Sequence, residues 1–111
     1  MTVNELIDKS GFSALNLADG KKEISGVYCC DLMSVVMSKG FSGAAWVTIM
    51  ANINAVAVAT LTDMACIILA DGAAIDEHMI EKAQTQEINV LQSNMQIFET
   101  SLKVHQLMTN A

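Results

Sequence analysis

Apolar and polar positions change rhythm several times along this chain, and each rhythm predicts an element. Val3, Leu6 and Ile7 share one helical face behind Thr2 and Glu5, the spacing of a capping box, so a short amphipathic helix opens the chain and closes near Gly11. ALNLADGKKEISGVYCC alternates on either side of Asp19-Gly20, a hairpin-turn dipeptide, which predicts strands at about 13–17 and 24–29. Gly26 inside the second strand marks a bulge or a close backbone approach. Asp31 stands where it can cap LMSVVMSK, a helix that Lys39 and Gly40 close. A regular alternation follows: AWVTIM as strand, NINAVAVATLTD as helix, ACIILA as strand, DEHMIEKAQTQ as capped helix, NVLQ as strand and SNMQIFETSLKVHQLM as helix. Strands apolar on both faces and alternating with helices predict a parallel sheet covered on each side, with right-handed crossovers. The expected fold is therefore α/β: one three-layer α/β/α domain over residues 1–111, with a mostly parallel sheet of about five strands made mixed by an N-terminal hairpin.

The 23 residues from Gly40 to Thr62 carry no charge, as a membrane span would. Asn52 and Asn54 near the middle, with Gly43, Ser42, Thr48 and Thr60, argue against lipid and for a strand, a turn and a helix capped by Asn52. In that helix Ile53, Ala55, Val56, Ala57, Val58, Ala59 and Leu61 place apolar groups around the whole circumference, the mark of a helix covered on every side. A chain this small has little to cover the side away from the sheet. Leaving several such groups in water forgoes roughly 1.5–3 kcal/mol each. A second copy of the chain is one cover and the N- or C-terminal helix is the other; the homodimer is favoured, with Ala51, Ala55, Val58 and Ala59 as its candidate interface.

Composition narrows the functional classes. Twelve acidic residues oppose six scattered lysines, net −6, with no arginine, so neither nucleic acid nor anionic lipid is an expected partner. The three cysteines have neither metal-ligand nor redox spacing and read as small buried hydrophobes of a reduced, cytoplasmic protein. The opening MTVNELIDKSG has early acids and no apolar core of a signal peptide. No nucleotide-binding glycine fingerprint, nucleophile elbow or metal motif appears, so no cofactor, metal or enzymatic activity is expected. His78 beside Glu77 and Glu81 reads as part of a solvated helix face, and His105 as a core or interface histidine within the stripe of Phe98, Leu102, Val104 and Met108.

EISGVYCCDLMSVVM, WVTIMANINAVAVATLTDMACIILADG and DEHMIEKAQTQEINVL together resemble the DRTGG domain, a small α/β module similar in fold to the N-terminal domain of HPr kinase, over about residues 3–107. Its name-giving motif is altered: Lys21, Lys22 and Glu23 stand in place of Asp-Arg, Ser25 and Gly26 match Thr-Gly, and Val27 replaces the last glycine. Asn52 stands where many members carry a histidine, and Asn54 matches. The resemblance implies a regulatory or ligand-sensing module, commonly self-associating and without established catalysis.

In parallel α/β sheets ligands settle beyond the carboxyl ends of the strands, where the strand order reverses. The candidate ligand residues there are Thr48, Asn52 and Asn54 after the first apolar strand and Asp71 and Gly72 after the second, joined by Ser25, Gly26 and Asp31 of the motif segment. Ser93 and Asn94 occupy the corresponding turn after the third. The expected function is a homodimeric regulatory module that senses a nucleotide or other small metabolite; the alternative is a structural interaction module of a larger assembly.

Overall fold

The computed structural model describes residues 1–110, so the last position of the expected 1–111 span lies outside the described residues. Among them are five helices, α1 (Val3–Ser10), α2 (Met33–Lys39), α3 (Ile53–Leu61), α4 (Glu77–Gln86) and α5 (Ile97–Thr109). Five strands, β1 (Ser13–Asn16), β2 (Gly26–Cys29), β3 (Ala44–Thr48), β4 (Cys66–Leu69) and β5 (Val90–Gln92), form one sheet in the order β1-β5-β4-β3-β2. β2 to β5 run parallel, with Trp46 opposite both Tyr28 and Ile67, and β1 joins β5 antiparallel. The fold is thus the expected mixed α/β/α sandwich.

The two N-terminal strands lie where the alternation places them, but they do not pair with each other; they form opposite edges of the sheet. The Asp19-Gly20 segment crosses beneath the sheet instead of closing a hairpin. Backbone groups of α1's first turn take up its polar groups: Val3 N–H donates to Lys22 O at 3.0 Å and Asn4 N–H to Gly20 O at 2.8 Å. Gly20 lies so close to α1 that a Cβ there would meet the exposed Asn4 side chain, which would have to turn aside. Asn89 clamps the other side of the crossing. Its Oδ1 accepts from the N–H groups of Ala18 and Asp19 at 2.8 and 2.9 Å, and its Nδ2 donates to Asp19 O and Ala65 O at 2.8 and 3.0 Å.

Each face of the sheet has its own core. Trp46, Ile67, Leu69 and Val90 meet Val36 of α2, Ala55, Val56 and Ala59 of α3, and Met79 and Ala83 of α4. Val47, Cys66, Ile68 and Leu91 meet Val3 and Leu6 of α1 and Val104 of α5. All three crossover helices therefore share one face, and the terminal helices cover the other.

This arrangement corrects the expected interface. Ala55 and Ala59 are fully buried, and Val58 nearly so, within the single chain, while Ala51 is half-buried against the same core. They are small because α3 sits on the sheet between α2 and α4, where a larger side chain would hold the layers apart. What α3 leaves in water is a different stripe, Ile53, Ala57 and Leu61, the last 73% exposed. His105 is also exposed, and so are Phe98 and Leu102 beside it, because only Val104 of that predicted stripe is fully buried beneath α5. Of the cysteines, Cys66 alone is buried, Cys30 is half-buried and Cys29 is exposed. No described helix is long and apolar enough to cross a membrane.

Candidate functional site

The carboxyl ends of the parallel strands form a rim that collects most of the predicted site residues, each engaged by the backbone in a definite way. Asp31 does not cap α2, whose N-cap is Leu32 without a side-chain bond. Its Oδ1 instead accepts from Thr48 Oγ1 at 2.6 Å and from Ile49 N–H at 3.1 Å, tying the ends of β2 and β3. Thr48 Oγ1 in turn accepts from Met50 N–H at 3.1 Å. Asn52 caps α3, its Oδ1 taking the Asn54 and Ala55 N–H groups at 2.9 and 3.3 Å, and Asn54 is exposed on the first turn. Asp71 and Gly72 both have positive φ, 58° and 61°, and turn the chain between Ala70 and Ala73, whose N–H donates to Ala70 O at 3.1 Å.

Ser25 and Gly26 do not belong to this rim. They start β2, so they sit at the amino ends of the parallel strands. Ser25 Oγ donates to Ser42 O at 2.7 Å, and a Cβ on Gly26 would lie 3.2 Å from the Phe41 ring, the close approach that a glycine in the strand predicts. Nearby, Asp63 accepts from Ser42 Oγ at 2.6 Å and from Lys22 Nζ at 3.4 Å. The Ser42 hydrogen bond, and then the Lys22 charge, hold its carboxyl below the ordinary range. The altered motif therefore serves as a joint beneath the sheet, on the side away from Asp31 and Asn52.

Strand order does not reverse among the parallel strands, which follow the sequence from β2 to β5. A switch in the direction of the connections occurs between β4 and β5: the chain leaves β4 for α4 on one face and β5 for α5 on the other. There the two loops are laced together, with Asp71 N–H donating to Met95 O at 2.7 Å, and Gly72 N–H to Ser93 O at 3.4 Å. Ser93 is buried, not a helix cap; its Oγ lies 2.8 Å from Thr100 Oγ1 and accepts from Met95 N–H at 3.1 Å. An open cleft of about 240 Å³ lies on the far side of the β5 loop, toward β1. Sequence reading missed it, apart from the turn at Ser93-Asn94, because its walls come from positions about 80 to 90 residues apart, Ser10–Ser13 and Gln92–Lys103.

The described residues hold no cluster of three or more His, Cys, Asp or Glu side chains suited to a metal. His78 Nδ1 stands 3.9 Å from Glu81 Oε2 on the exposed face of α4, a solvated i,i+3 pair.

A rim of helix starts and tight turns on a covered mixed sheet defines the chain as a small α/β module with a DRTGG-like fold. Among solved structures it is similar to the crystal structure of the CBS and DRTGG domains of the regulatory region of Clostridium perfringens pyrophosphatase, complexed with its activator diadenosine tetraphosphate. The TM-score is 0.71 at 16% identity, over 91% of this chain and 44% of that one, so this chain spans less than half of that chain's length. No protein-family model matches the sequence, and no curated protein does.

Proposed function

We propose that the chain is a regulatory module that binds a small metabolite of nucleotide type at the carboxyl rim of its sheet, without chemical turnover, and acts as a homodimer. One observation carries this reading: the fold likeness is to a regulatory region, and the similar crystal structure holds an activator, diadenosine tetraphosphate. The rim supplies a suitable frame, since Asp31, Asn52, Asn54, Asp71 and Gly72 stand at adjacent strand ends, each at least partly exposed, around the buried Thr48. For the dimer, the outward stripe of α3, Ile53, Ala57 and Leu61, takes the place of the buried alanine strip.

A panel of adenine and guanine nucleotides, diadenosine polyphosphates, acyl phosphates and coenzyme A, read by thermal unfolding, tests the ligand. A ligand at about 100 times its Kd adds about 2.7 kcal/mol, a rise in Tm of roughly 10 °C for a domain of this size. No rise with any member at millimolar concentration refutes ligand sensing. The dimer is tested by solution mass at micromolar concentration: two copies are expected, and Leu61→Glu shifts the mass to one.

A second reading, a protein-docking module, is favoured by a specific observation. Leu61 and Phe98 are 73% and 70% exposed on helices that cover opposite faces of the sheet, so one two-fold contact through α3 leaves Phe98 in water. Stoichiometric co-purification of a partner that Phe98→Ser abolishes would support it.

A further inference from the structure

Lys103 singles out the cleft between the β5 loop and the start of β1. The cleft is walled by Ser10 and Ser13 on one side and by Gln92, Asn94 and Lys103 on the other, with no carboxylate among its lining residues. The chain as a whole carries a net charge of −6, with acids outnumbering lysines two to one. Lys103 is half-buried, yet among the described residues its ammonium has no carboxylate within 4.0 Å and makes no hydrogen bond. Glu99, one turn earlier on α5, lines the adjoining groove rather than the cleft. Among the described residues the Ser13 and Asn94 side chains have no hydrogen-bond partner, and the Ser10 hydroxyl, which accepts from Phe12 N–H at 3.1 Å, keeps its own proton to donate. A partly desolvated cation ringed by unspent donors gains most from an anion with several acceptor oxygens.

We propose that this cleft binds a phosphoryl group of a small metabolite, with Lys103 as its charged contact and Ser10, Ser13 and Asn94 as neutral donors. At about 240 Å³ it suits a small anionic group rather than a whole nucleotide. An adjoining groove of about 390 Å³ along α5 shares Met95 and Lys103 with it and adds Leu102 and Leu107, so the apolar part of the same molecule lies there. The rest of the rim is a poorer place for phosphate, because Asp31 and Asp71 sit on it without a cation within ion-pairing distance. The assignment rests on the ligand-sensing reading and gives it a location.

Titration of the isotope-labelled chain with inorganic phosphate at constant ionic strength, followed by amide NMR, tests it. Saturable shifts concentrated at residues 10–13 and 92–95 are expected, with phenyl phosphate binding several-fold tighter and extending them to Leu102 and Gln106. Lys103→Gln weakens binding tenfold or more, as loss of a charge-assisted bond requires, while Lys82→Gln leaves it unchanged. Ser13→Asp, at an exposed position, abolishes binding in a chain whose spectrum shows it folded. Shifts that rise linearly, spread over all lysines, or survive Lys103→Gln overturn the proposal. Acetate binding as tightly as phosphate overturns the phosphoryl assignment. A nucleotide that raises Tm equally in wild type and Lys103→Gln preserves ligand sensing and removes it from this cleft.

Discussion

Asn89 carries more of the architecture than its place before a three-residue strand suggests. It is 1% exposed and makes four hydrogen bonds to the backbone, three of them holding the crossing segment that the alternation alone reads as a hairpin. Asn89→Ala leaves the Ala65 carbonyl, which Asn89 Nδ2 reaches in the interior, without that donor, so a loss of roughly 2–4 kcal/mol in urea unfolding is expected. Cys66 offers an independent check on the core. Burial pushes its thiol up to about 12, so it resists alkylation in the folded protein and reacts only on unfolding, whereas exposed Cys29 is labelled at once. Mass spectrometry of the native protein after a brief pulse of iodoacetamide checks both halves of this expectation. Neither role was legible in one dimension: Asn89 reads as the first residue of the NVLQ strand, and all three cysteines read as small apolar side chains.

At the scale of elements the helices were the most legible part. The Thr2–Glu5 capping box is formed reciprocally, at 3.1 Å each way, and Asn52 and Asp76 cap α3 and α4 as their positions predict. What periodicity could not show was which side of an all-apolar helix faces inward. A residue that is small and apolar fits a close contact with the sheet as well as a contact with another chain. Ala59→Leu is therefore expected to overpack the α3 layer and lower stability by about 1–3 kcal/mol, while Ala57→Leu, at an exposed position, changes it by less than about 0.5 kcal/mol. Equal effects at both positions, measured by chemical denaturation, would refute this orientation of α3.

For the whole molecule, stability depends on the joint beneath the sheet, where the crossing segment, α1 and the α3–β4 turn meet. Two carboxylates there are held below their ordinary values: Glu5, mainly by the Thr2 backbone N–H, and Asp63, by Ser42 and then Lys22. A carboxyl that ionises more readily in the folded state stabilises the fold above its unfolded pKa, and that contribution disappears as pH falls through its folded pKa. Tm is expected to hold from neutrality down to about pH 5 and to decline once the pH passes the ordinary values of 4.5 for Glu5 and 3.8 for Asp63. Both groups are exposed, so the slope is shallow, and Asp63→Asn flattens part of it in a thermal-unfolding series.

By itself the sequence determined the order and type of the elements, the covered parallel strands and three of the caps, because periodicity and capping are decided within a few residues of each position. It also marked the strand ends at which Asp31, Asn52 and Asp71 gather. Only the tertiary structure decided that β1 and β2 take opposite edges, that Ser25 and Gly26 lie at the far end of the sheet from that rim, and that Lys103 meets Ser10 and Ser13 across a cleft. Those outcomes depend on contacts between residues far apart in the chain, where the packing of α1 and the Asn89 clamp outcompete the pairing that a local turn favours.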